Sequence, residues 1–287
     1  MIYDRFQKEA IDHINEGCSV IVSAPTGAGK TAIAEHVITK CLEDKIGVIY
    51  TAPLKALSNQ KFRDFQAIYR DNIGILTGDV SLNANAPVLI MTTEIFRNKI
   101  LDDPQSLAQY KWIIFDEVHY IDNPERGTVW EESLIFLPRH MNILCLSATI
   151  PNIRQFASWL ESIYKRPIKV VAEEKRPVPL HFFYQCQNQV VDKIETLKKL
   201  GTKRYNALAT LAHYIKQKDG LPCIYFVFGR KRAEELAFEL FSYNFLNKED
   251  EVKIMDLYQS LCEHYDLAHE KTAIHLSQLI RRGIAFH

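Results

Sequence analysis

The 287-residue sequence predicts a doubly wound α/β fold, a parallel sheet covered by helices on both faces. Two observations lead there. From Cys18 to about Leu160, short apolar runs rich in β-branched residues alternate with segments of helical period. Between the runs, Ile33, Val37 and Cys41 recur at four-residue spacing and Phe62, Phe65 and Tyr69 at three to four, so each connection can lay an apolar stripe on a sheet. The expected strands, in order, are Ser19–Ser23, Gly47–Thr51, Ile73–Leu76, Val88–Met91, Trp112–Phe115 and Ile143–Leu146. Open sheets of this kind bind ligands beyond the carboxyl ends of their strands, which directs attention to the residues that follow each run.

Beyond this region the character changes. Lys165 to Leu180 carries Pro167, Pro177 and Pro179 among basic residues, which favours an extended connector. The expected organisation is a first domain over 1–164, a linker over 165–180 and a second, partial domain over 181–287. In the second domain a polar helical segment from about Val190 to Lys218 precedes a strand at Cys223–Val227, a helix at Arg230–Phe241 and a last strand at Gly283–Phe286.

Composition is that of an ordinary globular protein, with 47% apolar and 24% charged residues. The 35 basic and 35 acidic side chains cancel, so any nucleic-acid partner must be held by local basic surface and backbone amides. No apolar run approaches the ~20 residues that span a bilayer, and the start lacks the basic and apolar regions of a signal peptide; the expectation is a cytoplasmic chain without a membrane partner. Six cysteines without a Cys-x-x-Cys pair are expected to be reduced and mostly buried, with Cys18, Cys145 and Cys223 in strand-like runs. Cys262, His264, His269 and His275 lack zinc-site spacing, and the basic run Lys198, Lys199, Lys203 and Arg204 reads as a solvated helix face.

After the first expected strand comes Ala24-Pro25-Thr26-Gly27-Ala28-Gly29-Lys30-Thr31, followed by a helix, the context that a phosphate-binding Walker A loop requires. Glycines let the backbone curl so that several N–H groups face phosphate oxygens, and the helix N-terminus adds its positive dipole end. Lys30 is expected to reach the β and γ phosphates of ATP and the Thr31 hydroxyl to bind Mg²⁺, with Thr26, Gly27, Ala28 and Gly29 lining the loop. Ala24 stands where a first glycine is usually written.

The run Trp112–Phe115 ends in Asp116-Glu117-Val118-His119, two carboxylates at the end of a buried strand. Burying charge without partners is expensive, and a Mg²⁺·ATP complex in the neighbouring loop supplies partners. Asp116 would hold the Mg²⁺ shell through water, and Glu117 would orient and deprotonate the attacking water. Ser147-Ala148-Thr149, at another strand end, is a weak signal alone.

Taken in order, these three segments resemble motifs I, II and III of superfamily 2 DExH-box helicases, and are most similar to the Ski-like branch of exosome-associated RNA helicases and their bacterial relatives. Supporting segments are Phe6–Ile11, Thr51–Lys61, Thr77–Asp79, Thr92–Glu94 and the stretch Asp116 to Glu132 with its Arg126-Gly127 and Trp130-Glu131-Glu132. The resemblance implies a RecA-like, P-loop NTPase first domain followed by an incomplete second RecA-like domain. It implies that Gln7 reads adenine with Phe6 beside it. It also implies that Pro53, Lys55, Gly78, Asp79, Thr92, Thr93 and Glu94 face the backbone of single-stranded RNA or DNA, and that His119, Ser147 and Thr149 couple nucleotide state to domain closure. RNA is favoured over DNA, with movement 3′ to 5′.

The resemblance ends before motifs V and VI, whose arginine fingers complete the ATP site. The chain alone is therefore expected to bind ATP and hydrolyse it poorly, with a second polypeptide able to supply the rest of the second domain. Two readings from other classes compete: a nucleotide-switched clamp on nucleic acid that does not unwind it, and a non-helicase P-loop ATPase acting on proteins.

Overall fold

The computed structural model describes residues 2–199, 207–267 and 269–287, which fall into two compact units, Met1–Leu180 and His181–His287. The first unit is built on one sheet of eight strands. In chain order it runs α1 (Arg5–Asn15), β1 (Ser19–Ser23), α2 (Thr31–Glu43), β2 (Gly47–Ala52), α3 (Lys55–Tyr69), β3 (Ile73–Leu76), β4 (Ser81–Leu82) and β5 (Val88–Thr92). It continues with α4 (Thr93–Asp102), β6 (Tyr110–Phe115), α5 (Gly127–Ile135), β7 (Asn142–Ser147), α6 (Ile153–Tyr164) and β8 (Ile168–Ala172). The strand order is β4-β3-β5-β2-β6-β7-β1-β8, and every neighbouring pair is parallel except β3 with β4.

Strand alternation sorts side chains onto two cores. On one face Val20 and Val22 of β1, Val48 and Tyr50 of β2 and Leu144 and Leu146 of β7 pack with Ile33, Val37 and Ile38 of α2, Ala10 and Ile14 of α1 and Phe65 of α3. On the other, Ile21, Ile49, Ile113, Phe115 and Cys145 meet Phe96 of α4, Trp130 and Leu134 of α5 and Leu160 of α6. Each such side chain taken fully out of water contributes about 1.5–3 kcal/mol, which is why the central strands read as unbroken apolar runs. The doubly wound α/β architecture and all six expected strands are present, four of them one or two residues longer than the runs alone indicate.

One segment differs. Ile168–Ala172, expected to lie in an extended connector, is the strand β8, paired in parallel with β1 from Ser19↔Ile168 to Ser23↔Ala172. Pro167 precedes the strand and Pro177 and Pro179 follow it, so none interrupts the ladder. β8 lies at the sheet edge, with Lys169 turned to solvent and Ile168 and Val171 buried.

The second unit contains β9 (Tyr184–Cys186) and β10 (Gln189–Val191), an antiparallel pair, and α7 (Ile194–Lys199), α8 (Leu208–Gln217), α9 (Arg230–Glu239), α10 (Lys248–His264) and α11 (Lys271–Ile280). A small core of Ala237, Leu279 and Ile284 is joined by Phe238, Phe241 and Phe245. The polar stretch read as helical from about Val190 thus begins as β10 and continues into α7 and α8, and Lys203 and Arg204 lie outside the described residues. Neither expected strand forms here: 223–227 and 283–286 have no ladder partner among the described residues. Without one, Ile224 and Phe226 are 79% and 89% exposed and Cys223 is exposed, against the expectation that it is buried in a strand. Cys41 and Cys145 are buried, and Cys18, Cys186 and Cys262 are half-buried.

Candidate functional site

The residues after β1, β6 and β7 meet because those strands are neighbours in the sheet. Hydrogen bonds lock their ends together: Ala24 N donates to Ser147 O at 3.1 Å, Ile150 N donates to Ser23 Oγ at 3.2 Å, and Ser23 Oγ donates to Ala148 O at 3.4 Å. The small residue Ala24 is fully buried at this junction.

The loop itself is shaped by glycine. Gly27 and Gly29 have φ of +84° and +83°, a region costly for any side chain. At Gly29 a Cβ would also sit 2.8 Å from Gln7 Nε2. That amide donates to Gly29 O at 2.9 Å, while Gln7 Oε1 accepts from Asp4 N at 2.8 Å. Gln7 therefore ties the start of α1 to the phosphate-loop backbone. Phe6, expected beside Gln7, is buried in the apolar core with Ala10 and Ile14 and anchors the turn that carries Gln7. Thr26 and Gly27 are exposed and Ala28 is buried.

Lys30 curls over its own loop, donating to Ala24 O at 2.8 Å and Pro25 O at 3.2 Å. Burial lowers its pKa, and the charges of Glu117 and Asp116 pull it back up. Asp116 is 8% exposed; its Oδ1 accepts from Glu117 N at 3.0 Å and its Oδ2 from the hydroxyl of Tyr50. Glu117 takes a left-handed backbone, φ +57°, as the chain turns sharply out of β6. Burial, and then the neighbouring Asp116, raise its carboxyl pKa, partly offset by His119, Lys30 and Lys61. His119 Nδ1 lies 3.4 Å from Glu117 Oε2, at ion-pair distance but without hydrogen-bond alignment. Ser147 is fully buried, and its Oγ has no hydrogen-bond partner; Thr149 is exposed.

The remaining segments follow β2, β3 and β5, the other half of the same sheet edge. Pro53 is buried, and Lys55 opens α3 and pairs with Asp79 at 2.7 Å, its ammonium lying over Gly78. Thr92 and Thr93 are buried: Thr92 Oγ1 accepts from Ile95 N and caps α4, and Thr93 Oγ1 donates to Ala52 O, both at 3.5 Å. Their hydroxyls are thus engaged in holding the turn, and Glu94 is the more accessible member of that segment.

Several residues enter the site to which sequence reasoning assigned no role there. Tyr50 reaches Asp116, and Lys61 Nζ donates to Thr31 Oγ1 at 3.1 Å. Arg126 donates to Pro53 O at 2.9 Å and stands 3.9 Å from Glu94, joining two segments of the second half. Gly127 follows because a Cβ there would sit 2.3 Å from Ile121 O. The Arg126-Gly127 pair was visible in the sequence; the partners were not.

A β–loop–α phosphate cradle beside a strand ending in two carboxylates defines the class: a P-loop NTPase fold of the doubly wound type. Within it, residues 4–156, more than half of the chain, match the DEAD/DEAH box helicase family, and the chain belongs to that family. It is 35% identical to the human "Exosome RNA helicase MTR4" over 100% of this chain and 30% of that protein. It is 46% identical to the "Antiviral helicase SKI2" of Saccharomyces cerevisiae over 67% of this chain and 15% of that protein, which places it in the Ski-like branch. The chain spans less than a third of the length of these relatives. Among solved structures, the Mycobacterium smegmatis helicase Lhr bound to ssDNA and AMP-PNP shares the fold, with a TM-score of 0.59 at 22% identity over 89% of this chain and 38% of that one.

Proposed function

We propose that this chain forms the ATP-binding core of a nucleic-acid helicase that grips single-stranded RNA in preference to DNA and moves 3′ to 5′. The observation that carries the reading is positional: the strand order β6-β7-β1 brings the loop that holds Lys30 and the Asp116-Glu117 pair to the same sheet edge, near enough for the two carboxylates to act on the Lys30 charge. The donor set fits Mg²⁺·ATP. Mg²⁺ prefers hard oxygen ligands from one or two protein groups plus substrate phosphates, as the Thr31 hydroxyl and Asp116 carboxylate would provide. The positive φ of Gly27 and Gly29 gives the loop the curl that phosphate cradling requires, and the partnerless Ser147 hydroxyl is a further polar atom at the same edge.

Bound Mg²⁺·ATP would supply a phosphoanhydride already polarised by the cation. The chain's own residues do the rest. The amides of residues 26–31 and Lys30 bind the phosphates, and Lys30 must exchange its two loop carbonyls for them. Thr31 and Asp116 orient the cation, with Asp116 acting through water. Glu117 accepts a proton from the attacking water at its carboxylate, a task for which a pKa raised toward neutrality is better matched than an ordinary one. Gln7 would exchange its bonds to Asp4 and Gly29 for adenine. His119 and the Ser147–Thr149 segment would pass the nucleotide state to a second domain.

On the other half of the edge, Lys55, Gly78 and Glu94 would position the strand by its backbone, without reading sequence, while Asp79 sets the charge of Lys55 and Pro53, Thr92 and Thr93 hold the turns behind them. The preference for RNA rests on similarity to a relative named as an RNA helicase. The exposed apolar stretch 223–228 favours a further part of the reading: polypeptide from this protein or a second one adds strands there and completes a second RecA-like domain with its arginine fingers.

The test is ATP binding and turnover with and without single-stranded RNA or DNA, for the chain alone and with a polypeptide carrying the later helicase motifs. Binding without fast turnover by the chain alone, and nucleic-acid-stimulated turnover of the mixture, are expected. Turnover of the mixture that ignores both nucleic acids sinks the motor reading and leaves a P-loop ATPase of another kind.

A further inference from the structure

Asp116 and Tyr50 are 66 residues apart in sequence and adjacent in space because β2 and β6 are neighbouring parallel strands, with Tyr50 opposite Ile114. β2 holds the Asp116 turn twice. Thr51 O accepts from Asp116 N at 3.0 Å, and the Tyr50 hydroxyl donates to Asp116 Oδ2. With Glu117 N on Oδ1, each carboxylate oxygen has one protein donor, so the group cannot rotate without breaking one of the two bonds. An ionised carboxylate has about four lone-pair sites, so lone pairs remain on both oxygens for a ligand.

Tyr50 is itself immobilised. It is fully buried in the apolar core and meets Phe65 of α3 edge to face, with centroids 5.5 Å apart and planes at 79°. Packing alone does not require its hydroxyl, since phenylalanine would fill the same space. A buried hydroxyl costs stability unless it is paired, and here its partner is Asp116, a residue of the nucleotide site.

We propose that Tyr50 is a positioning residue for the Mg²⁺·nucleotide site, its buried hydroxyl setting the orientation of the Asp116 carboxylate. The proposal rests on the nucleotide-binding reading given above. It assigns a specific role to a strand residue that never touches substrate: hydrogen-bond partners behind the groups that hold a metal and its water shell tune metal affinity, and their loss costs roughly 10- to 100-fold.

The experiment measures binding of a fluorescent, non-hydrolysable ATP analogue at graded Mg²⁺ and in EDTA, for the wild-type chain, Tyr50→Phe and Tyr50→Leu, with circular dichroism to confirm folding. Two variants with different packing guard against one that fails to fold. The Mg²⁺ midpoint should rise about tenfold or more in each folded variant. Metal-free nucleotide binding should stay within about twofold, because the phosphate loop is untouched. An unmoved midpoint in either folded variant, or an equal loss of binding with and without Mg²⁺, overturns the proposal. A wild-type chain that binds no nucleotide overturns the helicase reading first and this proposal with it, whereas wild-type binding with unmoved variants overturns this proposal alone.

Discussion

The two halves of the sheet edge in the first unit use charge in opposite ways. After β1, β6 and β7 the ionisable groups are drawn out of water: Asp116 is 8% exposed, and burial shifts both Lys30 and Glu117 against their charged forms. After β2, β3 and β5 the charges stay wet, and the side chains of Lys55 and Asp79 are 53% and 69% exposed although paired at 2.7 Å. A buried charge interacts strongly with few partners, whereas a solvated one interacts weakly with any phosphate nearby. The first half suits chemistry at a fixed point, and the second suits sequence-tolerant contact with a backbone. Single substitutions should therefore act steeply in one half and shallowly in the other.

The steepest expected effect is at Glu117. Replacing it with Gln should retain Mg²⁺-dependent nucleotide binding and reduce nucleic-acid-stimulated turnover by about 10²–10⁴-fold. Turnover within a few-fold of wild type would remove Glu117 from the role of base and erase the contrast between the halves. Next comes Gly29→Ala, which meets both a positive φ and the Gln7 amide. A cost on the order of 1–2 kcal/mol is expected, seen as a lower melting temperature and about tenfold weaker nucleotide binding. Unchanged values of both would mean that the loop tolerates a side chain where the geometry leaves none.

In the second half the effects should be small and salt-dependent. Lys55→Ala should weaken single-strand binding a few-fold and lower the salt slope by roughly 0.7. Asp79→Asn should act in the opposite direction, releasing Lys55 from its pair and tightening binding at low salt. If both substitutions weaken binding equally, Asp79 contacts the strand itself and the pair is not a charge-neutralising one.

The smallest effect is a pH dependence of stability in the first half. The folded-state pKa of Glu117 lies above its ordinary value of 4.5, so its contribution to stability is fully present below 4.5 and is lost as pH rises through the raised value. Glu117→Gln should accordingly melt higher than wild type at neutral pH, with the gap closing as pH falls toward 4.5. A gap independent of pH would assign the gain to something other than ionisation.

Legibility in the sequence followed the same physics. The central strands were legible because burial on both faces forces continuous apolar runs, as at Val20–Val22 and Ile113–Phe115. β8 was not, because an edge strand beside solvent tolerates Lys169 and prolines at its margins, and those features also describe a connector. In the second unit Cys223–Val227 has the composition of a strand, yet composition does not form a ladder; without a partner among the described residues it forms no strand, and Phe226 lies in water. In the site, Lys30, Thr31, Asp116 and Glu117 can be proposed from the sequence because the chemistry they would perform depends on local spacing. The buried positions of Phe6, Thr92 and Thr93 were not legible there, since any of them could equally face a ligand in a linear reading.

By itself the sequence determined the alternation of strands and helices, the phosphate-loop turn that needs Gly27 and Gly29, and the acidic pair that ends β6, because each depends on residues within a few positions of one another. Only the tertiary structure decided which strands are neighbours. That order brings Tyr50 to Asp116, Lys61 to Thr31 and Arg126 to Pro53, contacts made across 66, 30 and 73 residues of chain. A side chain's reach is set by the sheet spacing of about 4.8 Å, and sequence distance carries no record of it.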